Sequence, residues 1–279
     1  MNTRESLNPQ SDLKTDATHS VLESVISGLI EPRQDAPESY KPTLISNRPG
    51  DLTMHDEISD ALTNSDSFDI SVAFVSPDAI LSLFEDFRSH HANAPEQVSR
   101  LITSTKNHFN DPRAFWELLH LQRTAGVDVR VWAGSDSSVS VAQGQPFHPK
   151  GYVFSRRMRN GTPYYDLFVG SSNLTGAALN TQREWNLKVS SLANGELVAQ
   201  VRDEIDSQIA DSKPLTEEWI KQYEEDFKKY APPRRDILKS LEGREIQPNA
   251  MQKEALASLK KLREQGEHRA IIVSATGTG

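Results

Sequence analysis

The chain has 279 residues, 36% of them hydrophobic and 25% charged, enough for one sizeable core and a smaller unit, with no run that approaches a membrane span. It has no cysteine, which excludes disulfides and thiolate metal sites and fits a reducing cytoplasm, and its N-terminus lacks the basic and apolar segments of a secretion signal. A formal net charge of −8 argues against tight, non-specific nucleic-acid binding by the whole surface while leaving a single local cleft open.

Residues 1–20 are polar and mixed and are expected to form a disordered leader. A short helix fits 21–29, and the proline-rich stretch 32–50 reads as an irregular connector. From Asp51 the pattern tightens: 54–63 is helical, 68–75 alternates as a strand, and Pro77 suits the start of a helix over 80–87. A second strand fits 101–105. Asp111 and Pro112 open a helix to Leu121, aspartate as cap and proline in the first turn, and after Gly126 another strand covers 127–132.

This rhythm predicts an α/β fold with a layered sheet. Two apolar strands, 151–154 and 165–169, follow, joined by the polar turn 157–163. A helical turn at 174–179, a strand at 185–189 and an amphipathic helix at 196–209 close a core of residues 51–210, preceded by the 1–50 leader and connector. Beyond it Lys213-Pro214 marks a joint, 217–230 is a charged helix and Pro232-Pro233 a break, so 211–244 reads as a helical linker. A last unit, 245–279, has a helix at 247–262 and a strand at 270–273 that runs into Ser274-Ala-Thr-Gly-Thr-Gly279.

The most informative stretch is His148-Pro149-Lys150 followed, after a hydrophobic run, by Gly170-Ser171-Ser172-Asn173. On a strand, residues two apart share a face, so His148 and Lys150 converge while Pro149 faces away. An imidazole, an ammonium and a carboxamide suit an anionic phosphodiester, as nucleophile or general acid, cation and neutral donor. Asn173 lies on a turn leaving the second strand, where Ser171 or Ser172 and the turn N–H groups add an anion nest.

This pattern resembles the HxK…GSxN signature of the phospholipase D superfamily, and the surrounding segments look like its nuclease branch. The resemblance implies a mixed sheet flanked by helices, a histidine that attacks phosphorus to form a phosphohistidine, and a second histidine, from a second copy of the motif, that protonates the leaving oxygen. Carried onto this chain, His148 is nucleophile or general acid, Lys150 holds the non-bridging oxygens, Asn173 donates to the phosphate, and Ser171 takes the small-residue position of GSxN. The full pattern has an aspartate five residues after the lysine; here that position is Ser155, which argues against a phospholipase. Glu184, in Arg183-Glu-Trp-Asn186, is the candidate carboxylate to accept from an imidazole N–H and raise its basicity.

Only one HxK exists, since His90, His91, His108 and His120 have no lysine two residues on. Two-histidine chemistry then requires a symmetric homodimer sharing one active centre. No metal is expected, because the nucleophile is nitrogen and the cation is Lys150. Arg156, Arg157, Arg159 and Arg183 gather near the motifs in sequence and read either as a phosphate-tracking rim or as a solvated basic loop. Trp116, Trp132, Trp185 and Trp219 could stack on bases, although core packing suits their positions better; Trp185 is nearest the site.

Gln252 ahead of Ala255-Leu256, with a strand that runs into the Gly-rich Ala275–Gly279 turn, resembles the opening of a superfamily 2 helicase and its RecA-like domain. That resemblance puts Gln252, Thr276, Gly277 and Gly279 at a nucleotide, and makes ATP and magnesium cofactors of a full-length helicase. The lysine that would reach the phosphates is not among these residues, so this chain is expected to be a fragment of a fusion and not to hydrolyse ATP by that route. The function expected is a metal-independent nuclease domain that cleaves DNA within a restriction- or defence-type helicase, with no membrane partner. The alternatives are a lipid or small-molecule phosphodiesterase, which would call for an apolar acyl-binding surface not obvious in the sequence, and a catalytically weak nucleic-acid-binding dimer module, which Ser155 leaves open.

Overall fold

Alternating apolar residues at Phe68, Ile70 and Val72 place one strand at the centre of a sheet, and the rest of the chain assembles outward from it. The computed structural model describes residues 9–105, 108–132, 147–230 and 250–266, in two compact units, Met1–Pro232 and Pro233–Gly279. In the first unit, eight strands form one mixed sheet in the order β1-β7-β6-β5-β2-β3-β4-β8. Strands β2 (Ser67–Val72), β3 (Arg100–Thr103) and β4 (Asp128–Trp132) are parallel. Strands β5 (Lys150–Arg157), β6 (Pro163–Gly170) and β7 (Asn186–Leu192) form an antiparallel meander joined to β2 through β5. Short antiparallel strands close the edges, β1 (Thr43–Ile45) on β7 and β8 (Ser212–Pro214) on β4. Pro214 is tolerated there because an edge position needs no ladder donor.

The period of two sorts the side chains onto two faces. Phe68, Ile70, Val72, Tyr152, Phe154 and Phe168 pack under helices α2 (Met54–Thr63), α3 (Pro77–Ser82), α4 (Phe84–Asn93) and α5 (Pro112–Ala125). Ile102, Val153 and Leu167 face the other way, against Val198 and Ile205 of α7 (Glu196–Ala210). The short α6 (Gly176–Asn180) follows the β6 turn, and α8 (Glu217–Tyr230) lies on α5 with Ile220 and Tyr223 buried. In the second unit, α9 (Ala250–Glu264) corresponds to the helix read at 247–262, whereas the strand read at 270–273 and the residues after it lie outside the described residues. No helix among the described residues is long and apolar enough to cross a membrane.

Local chemistry accounts for the helix ends. Thr53 and Asp56 form a reciprocal capping box on α2, and the hydrogen bond from the Thr53 N–H holds the Asp56 carboxyl below its ordinary pKa. Asp111 caps α5 by accepting from Arg113 N at 3.0 Å, with Pro112 in the first turn as read from the sequence. Gly126 ends α5 at φ +62°, and a Cβ there would also lie 2.7 Å from the His91 ring.

Three expectations need correction. From Pro9 the supposed disordered leader is the helix α1 (Pro9–Leu29); Ala17 packs beside Met158 and Tyr164, and Ser24 donates to Pro37 O at 2.8 Å. Its weak amphipathic pattern hid a helix held by tertiary contacts. The connector 32–50 contains β1 and the buried Asn47, which donates to Ala178 O and Gln182 O and accepts from Met54 N. The single helix read at 80–87 is broken at Leu83, where the backbone leaves helical geometry between α3 and α4.

Buried His90 yields one testable consequence of this packing. Its Nε2 lies 2.9 Å from Ser99 Oγ and its Nδ1 3.2 Å from Leu62 O, and burial pushes its pKa below the ordinary imidazole value. The unfolded chain then takes up a proton that the folded chain refuses, so stability is expected to fall as pH drops below about 6.5 and to level off below the folded pKa. Urea melts at pH 7 and pH 5 should show a larger loss for wild type than for His90→Gln; equal losses would remove His90 as the cause.

Candidate active site

Beyond Val72 the chain continues as Ala73-Phe74-Val75-Ser76 across the carboxyl ends of the parallel strands, where open α/β sheets place their ligands. This segment holds both motifs. Ala73 N donates to Pro149 O at 3.0 Å, and Lys150 pairs with Val72 in the β2–β5 ladder. On the other side Phe74 N donates to Asn173 Oδ1 at 3.2 Å, Leu174 N to Phe74 O at 3.1 Å and Ser76 N to Leu174 O at 3.0 Å, closing a parallel bridge between Val75 and Leu174. With its oxygen engaged by Phe74, the Asn173 carboxamide keeps its NH2 as the donating end.

The His148 ring packs edge-on against Phe74, with centroids 5.9 Å apart. Lys150 Nζ lies 3.0 Å from His148 Nε2 and 3.2 Å from His148 O. An ammonium can only donate, so this contact is a hydrogen bond in the neutral tautomer whose Nε2 carries the lone pair, which is also the form a nucleophile requires. His148, Lys150 and Asn173 are thus gathered around one short segment, two from β5 and its lead-in and one from the turn after β6.

Ser171 and Glu184 are joined to each other. The Ser171 hydroxyl donates to the Glu184 carboxylate and accepts from Trp185 N at 3.0 Å. Burial, with a contribution from Glu184, raises the pKa of Tyr152, whose hydroxyl donates to Ser172 O at 3.0 Å. Ser172, an alternative phosphate donor in the sequence reading, is fully buried; its hydroxyl donates to Ala178 O and accepts from Asn186 Nδ2 at 2.8 Å, so it holds the turn. Gly170 is required by close approach, because a Cβ there would lie 2.1 Å from Trp185 O. Asn186 and Asn110, both buried and bonded to the site's backbone, were missed by the sequence reading. Asn186 carried a faint signal, as the polar end of the Glu-Trp-Asn run; Asn110 carried none beyond its place in an Asn-Asp-Pro turn.

For Arg156 and Arg157 the phosphate-rim alternative fails. Arg156, half-buried, pairs with Asp166 at 2.9 Å and Asp60 at 3.3 Å, and Arg157 pairs with Asp66 at 2.8 Å. Both lie at the far end of β5, about 20 Å from Lys150 at the usual strand rise. Two of the four tryptophans pack against the main core, Trp116 and Trp219, while Trp132 stacks on Phe147. Trp185 departs from that expectation, with 74% of its surface exposed beside the site. Of the nucleotide residues, Gln252 falls on α9, and Thr276, Gly277 and Gly279 lie outside the described residues.

A family profile described as "Cardiolipin synthase, PLD-like domain" matches residues 56–209, more than half of the chain. Among solved structures the chain is similar to NucT from Helicobacter pylori, at 13% identity and a TM-score of 0.46, over 62% of this chain and 98% of that one. It is also similar to Nuc, a phospholipase D family member from Salmonella typhimurium, at 12% identity and a TM-score of 0.42, over 62% and 98%. A polyphosphate kinase from Porphyromonas gingivalis aligns at 14% identity and a TM-score of 0.42, over 63% of this chain and 27% of that one. At these identities the likeness concerns the fold alone. No curated protein matches the sequence.

Proposed function

Because this chain belongs to the phospholipase D superfamily, with a PLD-like domain over residues 56–209, we propose that it is a metal-independent phosphodiesterase that cleaves DNA through a phosphohistidine on His148. The observation that carries this reading is the gathering of His148, Lys150 and Asn173 on the Phe74 segment, where Nε2 of His148, which bears a lone pair in the neutral tautomer, lies 3.0 Å from Lys150 Nζ. A non-bridging phosphate oxygen replaces that lone pair as the partner of Lys150, and Nε2 attacks phosphorus as the P–O bond to the leaving strand breaks. His148 of a second copy gives the leaving oxygen its proton. It then takes a proton from the water that attacks phosphorus and breaks the P–N bond. Asn173 donates to the charge that builds on the phosphoryl oxygens, and Glu184 holds Ser171 and the turn in place.

An apolar stripe beside the site supports the second copy. Leu44, Leu187 and Val169 lie side by side across β1, β7 and β6, and Trp185, two residues before Leu187, shares their face. They are 53%, 45%, 59% and 74% exposed, on the sheet face that α7 covers further along. Together they expose on the order of 400 Å², the size of the main apolar patch on a typical protein surface, which is often functional, and a fair centre for an interface that needs about 800 Å² per subunit. The choice of DNA, and of a motor-driven restriction or defence setting with ATP and magnesium, rests on the helicase-like pattern around Gln252 and residues 274–279.

A second reading has its own observation. Pro149, Gly151, Val153, Leu167, Val169 and Leu197 line a largely apolar groove of about 220 Å³ between α7 and the sheet, with Glu204 and Gln208 also on its wall, on the side of β5 to which Pro149 turns away from His148 and Lys150. That groove suits an acyl chain and would favour a phospholipid substrate.

Labelled single- and double-stranded DNA and anionic phospholipid vesicles, each with EDTA present, separate the two readings. DNA cleavage with intact vesicles is the expected result; hydrolysis of the lipid alone would replace DNA as substrate. Trp185→Asp is expected to turn a dimer into a monomer by light scattering and to lower cleavage by about 100-fold. A wild type that is strictly monomeric yet active would overturn the shared-centre mechanism.

A further inference from the structure

Asn110 belongs to neither motif, yet its side chain ties together the segments that carry them. It lies in the turn between β3 and α5 and is 1% exposed. Its Oδ1 accepts from Val75 N at 2.9 Å, and its Nδ2 donates to Ser104 O at 2.6 Å and reaches Ala73 O and Thr103 Oγ1 at 3.4 Å each. One carboxamide therefore sets the spacing between the ends of β2 and β3. The residues it grips, Ala73 to Val75, are the ones whose N–H groups hold Pro149 O and Asn173 Oδ1.

Helix α8 holds Asn110 from behind. The Tyr223 hydroxyl donates to Asn110 O at 2.8 Å, and burial, with Asp111 nearby, pushes its pKa far above the ordinary phenol value, so it remains a donor at neutral pH. The Tyr223 ring is fixed by Trp219, stacked at 5.3 Å and 9°, by His108 at 5.7 Å and 14°, and by the edge of Phe115 at 4.8 Å. His108 adopts φ +53°, outside the common region for a residue with a side chain, and its ring also lies 5.8 Å from Tyr230. The turn 108–110 is thus held in one conformation by aromatic side chains, most of them from α8.

We propose that Asn110 is a positioning residue of the phosphodiesterase site, and that α8 latches it through the Tyr223 hydroxyl, so that docking of this helix sets the distance between the His148–Lys150 and Asn173 turns. The inference rests on the reading of those three residues as the reacting centre. Loss of the latch lets turn 108–110 relax, and Val75, Phe74 and Asn173 shift with it. Displacements well below 1 Å at a reacting centre cost rate because near-attack geometry is narrow.

Tyr223→Phe tests this in the full chain, since it removes one hydroxyl and keeps the ring. With bis(p-nitrophenyl) phosphate as probe, kcat is expected to fall about tenfold with KM changed less than about twofold. In protein labelled with 15N-histidine, the ring resonances of His148 are expected to move. Ile220→Val trims the packing of the same helix away from Asn110, and should lower thermal stability at least as much as Tyr223→Phe while leaving kcat and the His148 signals unchanged. An unchanged kcat with unmoved His148 resonances in Tyr223→Phe, or an equal loss of kcat in Ile220→Val, would overturn the latch. Should the wild type turn over no phosphodiester, the reading of the centre fails and the imidazole signals alone decide: movement in Tyr223→Phe keeps the latch, and none removes it.

Discussion

Replacement of His148 by alanine is expected to lower DNA cleavage by about 10⁴-fold or more in EDTA, because it removes the nucleophile and, in a shared centre, the acid as well. The loss should be purely chemical. His148 is exposed and its ring meets Phe74 only edge-on, so the free energy of unfolding should stay within about 0.5 kcal/mol of wild type. A 5′- or 3′-labelled substrate quenched during turnover should leave an acid-labile, alkali-stable phosphoryl label on wild type and none on His148→Ala. Equal cutting by the two proteins would sink the assignment. So would activity in both that vanishes with chelator and returns with magnesium.

Gly170→Ala should damage both fold and function. The added Cβ would sit 2.1 Å from Trp185 O, 2.5 Å from Asn186 Oδ1 and 2.6 Å from Asn186 Cα, and two of those three neighbours are main chain. Strand β7 would have to move away from β6 where Asn186 accepts from Ser172 N and donates to Ser172 Oγ. A cost on the order of 3 kcal/mol follows, which for a unit of this size lowers Tm by roughly 6–12 °C. Asn173 and Glu184 lie on either side of the displaced contact, so cleavage should fall by about 100-fold in molecules that remain folded. Gly151→Ala is the control: nothing lies within 4 Å of a Cβ there, and stability should hardly change. Scanning calorimetry that gave Gly170→Ala a Tm within about 2 °C of wild type would show that β7 yields more easily than this packing implies.

The parts of this molecule that were legible in the sequence are those with a local physical signature. The Asp111-Pro112 cap, the alternation at Phe68–Val72 and the two apolar strands of the meander each announce their own conformation. The meeting of His148, Lys150 and Asn173 was expected from the two motifs and their resemblance to HxK…GSxN, and the structure gathers the three around Phe74. What stayed hidden depends on contacts between distant residues. Helix α1 and strand β1 are short of apolar pattern and exist through Met158, Tyr164 and β7. Arg156 looked like part of a basic cluster because Asp60 and Asp166, its partners, come from elsewhere in the chain. Asn110 could not be singled out at all, since its importance lies in Val75 and Ser104, brought to it by the sheet.

The order in which the sheet can assemble also bears on when the chain becomes able to act. Strands β5, β6 and β7 are consecutive hairpins, whose nearby residues can meet within microseconds. The ladder that sets Lys150 beside Val72 joins segments about 80 residues apart and must wait for a slow, long loop to close. The meander therefore brings histidine, lysine and Asn173 to one end early, while the Phe74 segment that ties them together is still missing. Under the proposed function, cleaving power waits for that long-range ladder, and half-made polypeptides stay chemically harmless to whatever strand they meet.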